Sequence, residues 1–161
     1  MPIEQRYAIL REPEPSFEEE KERNARKMGK AWRWQTQRLH DKDAGVEGNC
    51  TTVALASLLA MPVSHVPDFI TLYPDAGEFW FAIERWVAEQ GYHLQMMRKE
   101  FAPRTLYLAS GPSPRDAELS HMVVMQDGKL YHDPHPSGAG ITEVKHVWIL
   151  LPTDPGKLRI F

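Results

Sequence analysis

The chain contains one cysteine, Cys50, and it stands where a thiol can be made nucleophilic. Gly48-Asn49 comes directly before it, and the apolar stretch CTTVALASLLA follows. That stretch is apolar almost all round, so it reads as a buried helix rather than a surface one. A thiol at the helix start faces unpaired backbone N–H groups and the positive end of the helix dipole, which favour the thiolate. The competing reading is a small buried hydrophobe, the common fate of a free cysteine.

A cysteine nucleophile needs a base within hydrogen-bond reach and a third group that holds the base. The hairpin around Gln126-Asp127-Gly128 offers both, in His121 and Asp133. A three-residue loop with Gly128 in the left-handed position pairs Met125 with Lys129, and therefore His121 with Asp133. Directly opposed residues share a sheet face with Cβ atoms about 4.5–5.5 Å apart, close enough for an imidazole to bond a carboxylate. The pairing depends on register. A two-residue Asp127-Gly128 loop would set His121 opposite Pro134 and turn Asp133 to the other face. The pair would then be a structural histidine and a solvated aspartate.

The run His132-Asp133-Pro134-His135 raises the question of a metal. A tetrahedral site needs four ligands, and no second His/Cys cluster completes the set, although His121 or His146 could approach. No metal and no other cofactor is expected. Pro134, Pro136, Gly138 and Gly140 read instead as a rigid loop at the mouth of a cleft.

Several elements must position these groups. Ser16 and Glu19 resemble a capping box at the start of a charged helix reaching about residue 30. Trp32 and Trp34 follow as a short strand or an anchoring turn. Gly45 and Gly48 bracket a loop ending at Cys50, and Met61-Pro62 stops the buried helix. An irregular segment through Pro74 precedes a helix from about Ala76 to Gln90, with Phe79, Ile83, Trp86 and Val87 on one face and Gly91 as a left-handed cap. Phe79, Trp80, Phe81 and Trp86 read first as core and rim packing, with a substrate groove lined by some of them as the alternative. Strands are expected at Tyr92 to Met96, Thr105 to Ala109, Ser120 to Met125, Lys129 to Asp133 and Val147 to Leu151, the last closing the sheet. Residues 110–116 form a Pro/Ser-rich loop. Helices come first and an antiparallel sheet second, which is the pattern of an α+β fold.

With 161 residues the chain has room for about one domain. Nineteen Lys and Arg against 22 Asp and Glu give a net charge of -3, which makes no electrostatic case for nucleic acid or an anionic membrane. The mixed-sign stretch over residues 23–38 is read as a solvated helix face. A single cysteine excludes an intramolecular disulfide. The first thirty residues are acidic at their start and lack the apolar segment of a signal peptide. No apolar run approaches the roughly 20 residues of a membrane span. A soluble, cytoplasmic protein is the expectation.

The order of a cysteine-bearing helix, a second helix, a histidine strand and an aspartate strand resembles the papain-like cysteine peptidase superfamily. Residues 48–69, GNCTTVALASLLAMPVSHVPDF, and residues 120–141, SHMVVMQDGKLYHDPHPSGAGI, are similar to small papain-like proteins of bacteriophage and bacterial genomes. Compact members include the bacteriocin-processing peptidase domains of transporters and papain-like cell-wall amidases. The resemblance covers about residues 45–151. It implies a catalytic domain over residues 45–161, with Cys50 on a central helix packed against the sheet, and an N-terminal extension over residues 1–44.

Carried over by residue, the resemblance implies Cys50 as nucleophile, His121 as base and Asp133 as the group orienting the base. Asn49, Ser120 and His135 are the expected oxyanion or substrate-binding residues. Many members carry a glutamine about six residues before the cysteine as an oxyanion donor, where this chain has Ala44; Asn49, Gln35 and Gln37 are the substitutes at hand. Loss of one such donor costs on the order of 10²–10³ in rate. The implied activity is cysteine-dependent hydrolysis or acyl transfer at a peptide or isopeptide-like amide through a thioester. The rival expectation is a papain-like fold without activity that binds a partner, with a host protein as the conceivable target. Independently of that choice, the N-terminal arm, an extension outside the region of resemblance, is a candidate cover for the cleft, as a propeptide is.

Overall fold

Met61-Pro62 ends the apolar helix as its sequence requires, because proline cannot continue the hydrogen-bond ladder. The computed structural model describes residues 36–154. The expected charged helix over residues 16–30, the Trp32/Trp34 turn and Gln35 lie outside the described residues. Helix α1 is Cys50–Leu59, and every residue from Thr52 to Leu59 is buried in it. Ala60 closes it in the left-handed region at φ 53°. The segment expected to be irregular contains a 3-10 turn, Val63–His65, and a one-turn helix α2, Phe69–Leu72. Burial organises it: Phe69 is 1% exposed and meets the rings of Phe79 and Trp86 edge-on, with centroids 6.4 and 5.9 Å away. So short a helix has no periodicity to read.

Helix α3, Ala76–Glu89, begins at Asp75, whose Oδ1 accepts from Gly77 N and Glu78 N at 2.9 and 3.1 Å. A side-chain acceptor at that position satisfies two otherwise orphaned donors. Gly91 follows at φ 87°, the left-handed stop. Ile83 and Val87 enter the core, with Phe79 and Trp86 packed against it.

The sheet contains β1 (Tyr92–Met97), β2 (Leu106–Pro112), β3 (Ser120–Gln126), β4 (Lys129–His132) and β5 (His146–Pro152). All pairings are antiparallel and the order is β1-β5-β2-β3-β4. The architecture is α+β, a helical layer on one face of an antiparallel sheet. Leu108, Met122, Val124 and Trp148 join α1 and α3 in the main core, while Tyr107, Ala109, Val123 and Val147 build a second cluster. Strand β5 does not close the sheet at an edge. It inserts between β1 and β2, because Val147 and Trp148 supply apolar side chains to both clusters and are buried there.

Strand β2 runs to Pro112, beyond the expected Ala109, and Gly111 pairs with His121. Segment 142–145 crosses over this end, with Thr142 N donating to Pro112 O at 3.0 Å and Lys145 N to Ser110 O at 2.8 Å. A Cβ on Gly111 would lie 1.8 Å from the backbone oxygen of Glu143. Gly111→Ala is therefore expected to lower stability by about 2–3 kcal/mol, near the upper end for overpacked sites. Urea unfolding reads this directly, and an unchanged midpoint would mean that segment 142–145 is not held against β2.

The β3–β4 hairpin departs from expectation in a way that matters for the site. Gln126 pairs with Lys129 across a two-residue Asp127-Gly128 turn, and Met125 faces Leu130 rather than Lys129. Both turn residues have positive φ, 48° and 73°, the type I′ geometry that matches the strand twist. Such a turn alone would put Asp133 on the wrong face. A register shift follows between Met125 and Val124, so that Val124 faces His132. This bulge adds one residue to β4 and restores the alternation. Tyr131, buried in the main core, sits at the shift. Asp133 thereby recovers the face of His121. Among the described residues no single helix is long and apolar enough to cross a membrane.

Candidate active site

Cys50 is the first residue of α1 and is half-buried. No side chain caps the helix in front of it. The Asn49 side chain turns away, its Oδ1 accepting from Arg38 N at 2.7 Å. That bond fastens the incoming segment beside the helix start and gives Asn49 a positioning duty that its sequence position did not reveal. Arg38 also bonds Glu47 O at 2.8 Å and Asp68 Oδ2 at 2.8 Å, tying the segments before α1 and α2 together. Burial works to raise the Asp68 carboxyl, but the bonds to Arg38 and Thr71 prevail and hold it below its usual range.

His121 is 3% exposed, and its Nε2 lies 2.6 Å from Asp133 Oδ1. With Nε2 engaged, Nδ1 is the nitrogen left for Cys50, which lies within the imidazole's hydrogen-bonding and electrostatic reach. Burial disfavours the imidazolium. The bond to Asp133, the bond to Cys50 and the charges of both outweigh burial, and the His121 pKa is pushed up to about 9. Cysteine, histidine and aspartate are thus brought together as the sequence reading expects, although through a different hairpin register.

Asp133 is buried and serves more than the imidazole. Its Oδ1 also accepts from His135 N at 2.8 Å, and its Oδ2 from Gly140 N at 2.8 Å. Burial pushes its carboxyl upward, but His121 and the two backbone donors dominate and hold its pKa below the ordinary value. The Pro134–Gly140 loop is therefore wrapped around the carboxylate that orients the histidine. Gly140 has φ 70°, a conformation that suits glycine.

Cys50 and His121 open onto a cleft of about 420 Å³. Asn49, Ser120 and His135 all line it, as do Phe79, Trp80 and Gln37. Trp80 stacks on Trp148 with centroids 4.6 Å apart and 16° between planes, which makes it a rigid wall. The His135 ring stands edge-on to His121 at 6.4 Å. Burial, the Arg115 guanidinium and the His121 charge lower the His135 pKa against the pull of Asp133. Gln37 is buried, its N–H donates to Pro134 O at 2.9 Å, and its Oε1 has no partner among the described residues. A Cβ on Gly48 would meet Gln37 Nε2 at 3.2 Å, so the glycine leaves room for the amide. Phe79 and Trp80 line the cleft, the alternative weighed for the aromatic residues of α3, whereas Ser110 and the rim residue Arg115 escaped the sequence reading. Nothing local ties positions 110 or 115 to Cys50. Among the described residues no cluster of three or more His, Cys, Asp or Glu side chains is arranged to hold a metal ion.

The Cys50–His121 coupling makes a direct prediction. In a Cys50→Ala variant the imidazolium loses a hydrogen-bond partner and a neighbouring charge, while burial persists. The His121 pKa should fall below about 9 although the Asp133 bond still supports the imidazolium, as read by NMR titration of its ring. A titration midpoint unmoved by the substitution would show that the thiol and imidazole do not interact.

Comparisons of the chain with protein-family models, with curated proteins and with solved structures give no significant match.

Proposed function

We propose that this protein is a papain-like, cysteine-dependent hydrolase or acyl transferase acting on a peptide or isopeptide-like amide. One observation carries the reading: a buried imidazole bonded to a buried carboxylate at 2.6 Å lines the same cleft as the sole cysteine, which starts a helix and interacts electrostatically with that imidazole. A structural histidine would not need a thiol partner at the floor of an open cleft.

In the proposed reaction His121, with its pKa pushed up to about 9, is held as imidazolium beside the sulfur at neutral pH. The Cys50 sulfur attacks the amide carbonyl carbon, a C–S bond forms, and the carbonyl oxygen takes the negative charge. The backbone N–H of Cys50, at the positive end of α1, is one donor to that oxygen. The Gln37 Nε2 amide, which donates one proton to Arg38 O at 3.4 Å, has a second N–H for that oxygen and replaces the glutamine expected nearer the cysteine; it lines the cleft from the segment that Arg38 and Asn49 fasten. His121 gives its proton to the departing amine as the C–N bond breaks, leaving a thioester. It then takes a proton from water, which attacks the thioester and frees Cys50. An amine in place of water gives transfer. Asp133 keeps the imidazole oriented throughout.

A peptidyl vinyl sulfone tests this reading, since it alkylates an activated thiol only when seated in the cleft. Intact-mass analysis should show one adduct on Cys50 of the native protein near pH 7, none after urea denaturation, and much slower labelling of His121→Ala. Labelling that is absent, or equal in the native, denatured and His121→Ala forms, would leave the fold as a binding module.

A further inference from the structure

Resting on acyl transfer at Cys50, we infer that the substrate carries a carboxylate close to the reacting amide and that Arg115 reads it. Arg115 stands on the cleft rim beside His135 and Ser120. Its guanidinium is held by a bond from Nη1 to Ser137 Oγ at 3.0 Å. Among the described residues no carboxylate pairs with it. The nearby Asp116 is engaged in its own turn, accepting from Glu118 N at 3.0 Å. Glu47 is the one carboxylate among the lining residues, and it faces His40 at 3.3 Å. The rim thus presents an exposed cation tethered by one bond, with four of its five side-chain N–H donors uncommitted among the described residues.

The same hydroxyl fixes a second donor. Ser137 Oγ lies 2.8 Å from His135 Nδ1, and Ser137 N donates to that nitrogen at 3.1 Å. An Nδ1 that accepts places the neutral ring's proton on Nε2. Arg115 and the His135 Nε2–H are therefore two donors organised by one serine, and that serine belongs to the loop wrapped around Asp133. A planar guanidinium fork tethered by Ser137 matches a carboxylate far better than a neutral amide. Phe79 and Trp80 give the same cleft an apolar part of its wall. The chemistry selected is an acidic group and an apolar group near the reacting bond. The carboxylate has two sources, an Asp or Glu side chain or a peptide's C-terminus.

The test uses the full chain and a proteome-derived peptide library, with cleaved bonds identified by sequencing. Half of the library is amidated at its C-termini before digestion. Wild type should cleave bonds flanked by Asp or Glu in both halves if the side chain is read, or near free C-termini of the unamidated half alone if the terminus is read. Arg115→Glu should lose that preference by about tenfold and favour Lys or Arg instead, Arg115→Lys should keep part of it, and Ser137→Ala should weaken it. The loss should appear chiefly in KM, as expected for a group that binds ground state and transition state alike. Cleavage by wild type without acidic enrichment, or enrichment unaltered in Arg115→Glu, overturns the inference while the acyl-transfer reading stands. No cleavage together with no vinyl sulfone adduct on Cys50 overturns both.

Discussion

Removing the imidazole is expected to lower the rate of Cys50 acylation by about 10³-fold or more, within the range that a positioned acid–base group supplies. His121 has two duties in the proposed cycle: it holds the proton beside the sulfur, and it delivers that proton to the departing amine. His121→Ala removes both. Cys50→Ala removes the bond-forming atom itself and should abolish acylation outright. Single-turnover kinetics with an activated peptide ester and with the matching amide separate the two duties. The ester's leaving group needs little protonation, so its acylation reports thiol activation, while the amide reports activation and proton delivery together. His121→Ala should therefore be impaired more on the amide than on the ester. Amide acylation at the wild-type rate would refute the assignment of His121.

Asp133→Ala should have the largest effect on the fold at the site, a destabilisation of about 3–5 kcal/mol. The carboxylate accepts from His121 Nε2, His135 N and Gly140 N, and it is buried. Truncation leaves three donors without an acceptor and the imidazolium without its counter-charge. Asp133→Asn keeps one oxygen for His121 and His135 but points an NH2 group at Gly140 N. It should cost less stability than alanine, loosen the Pro134–Gly140 loop, and let the His121 pKa fall. Acid unfolding supplies the sign. The Asp133 pKa is depressed in the folded protein, so its contribution is present above the unfolded value of about 3.9 and is lost as pH falls through the lower folded value. Asp133→Asn has no such loss to show. Urea midpoints for both proteins at pH about 6 and about 3 would reveal it, and parallel acid dependence would mean that Asp133 is not the group titrating.

Much of the site was legible before any coordinate. An apolar run starting at a lone cysteine and stopped by Met61-Pro62 specifies a buried helix with the thiol at its start. Gly91 ends α3 through the left-handed backbone that its position after the helix indicates. These signals are local, and they act within a few residues. The Asp-Gly pair marked a hairpin, yet its loop length was misread, because a glycine suits the left-handed position of either loop.

Tertiary structure decided the rest. The juxtaposition of His121 and Asp133 depends on a bulge at Tyr131, where burial in the core sets the register. The place of β5 between β1 and β2 depends on which apolar faces must be covered, and a strand's own period is blind to its neighbours. The approach of Gln37 to the cleft and the tethering of Arg115 by Ser137 join side chains far apart in sequence. Local composition selects the elements because backbone energetics extend only a turn or two along the chain. Which side chains share a cleft is set by the packing of whole layers, and that exists only once the chain has closed on itself.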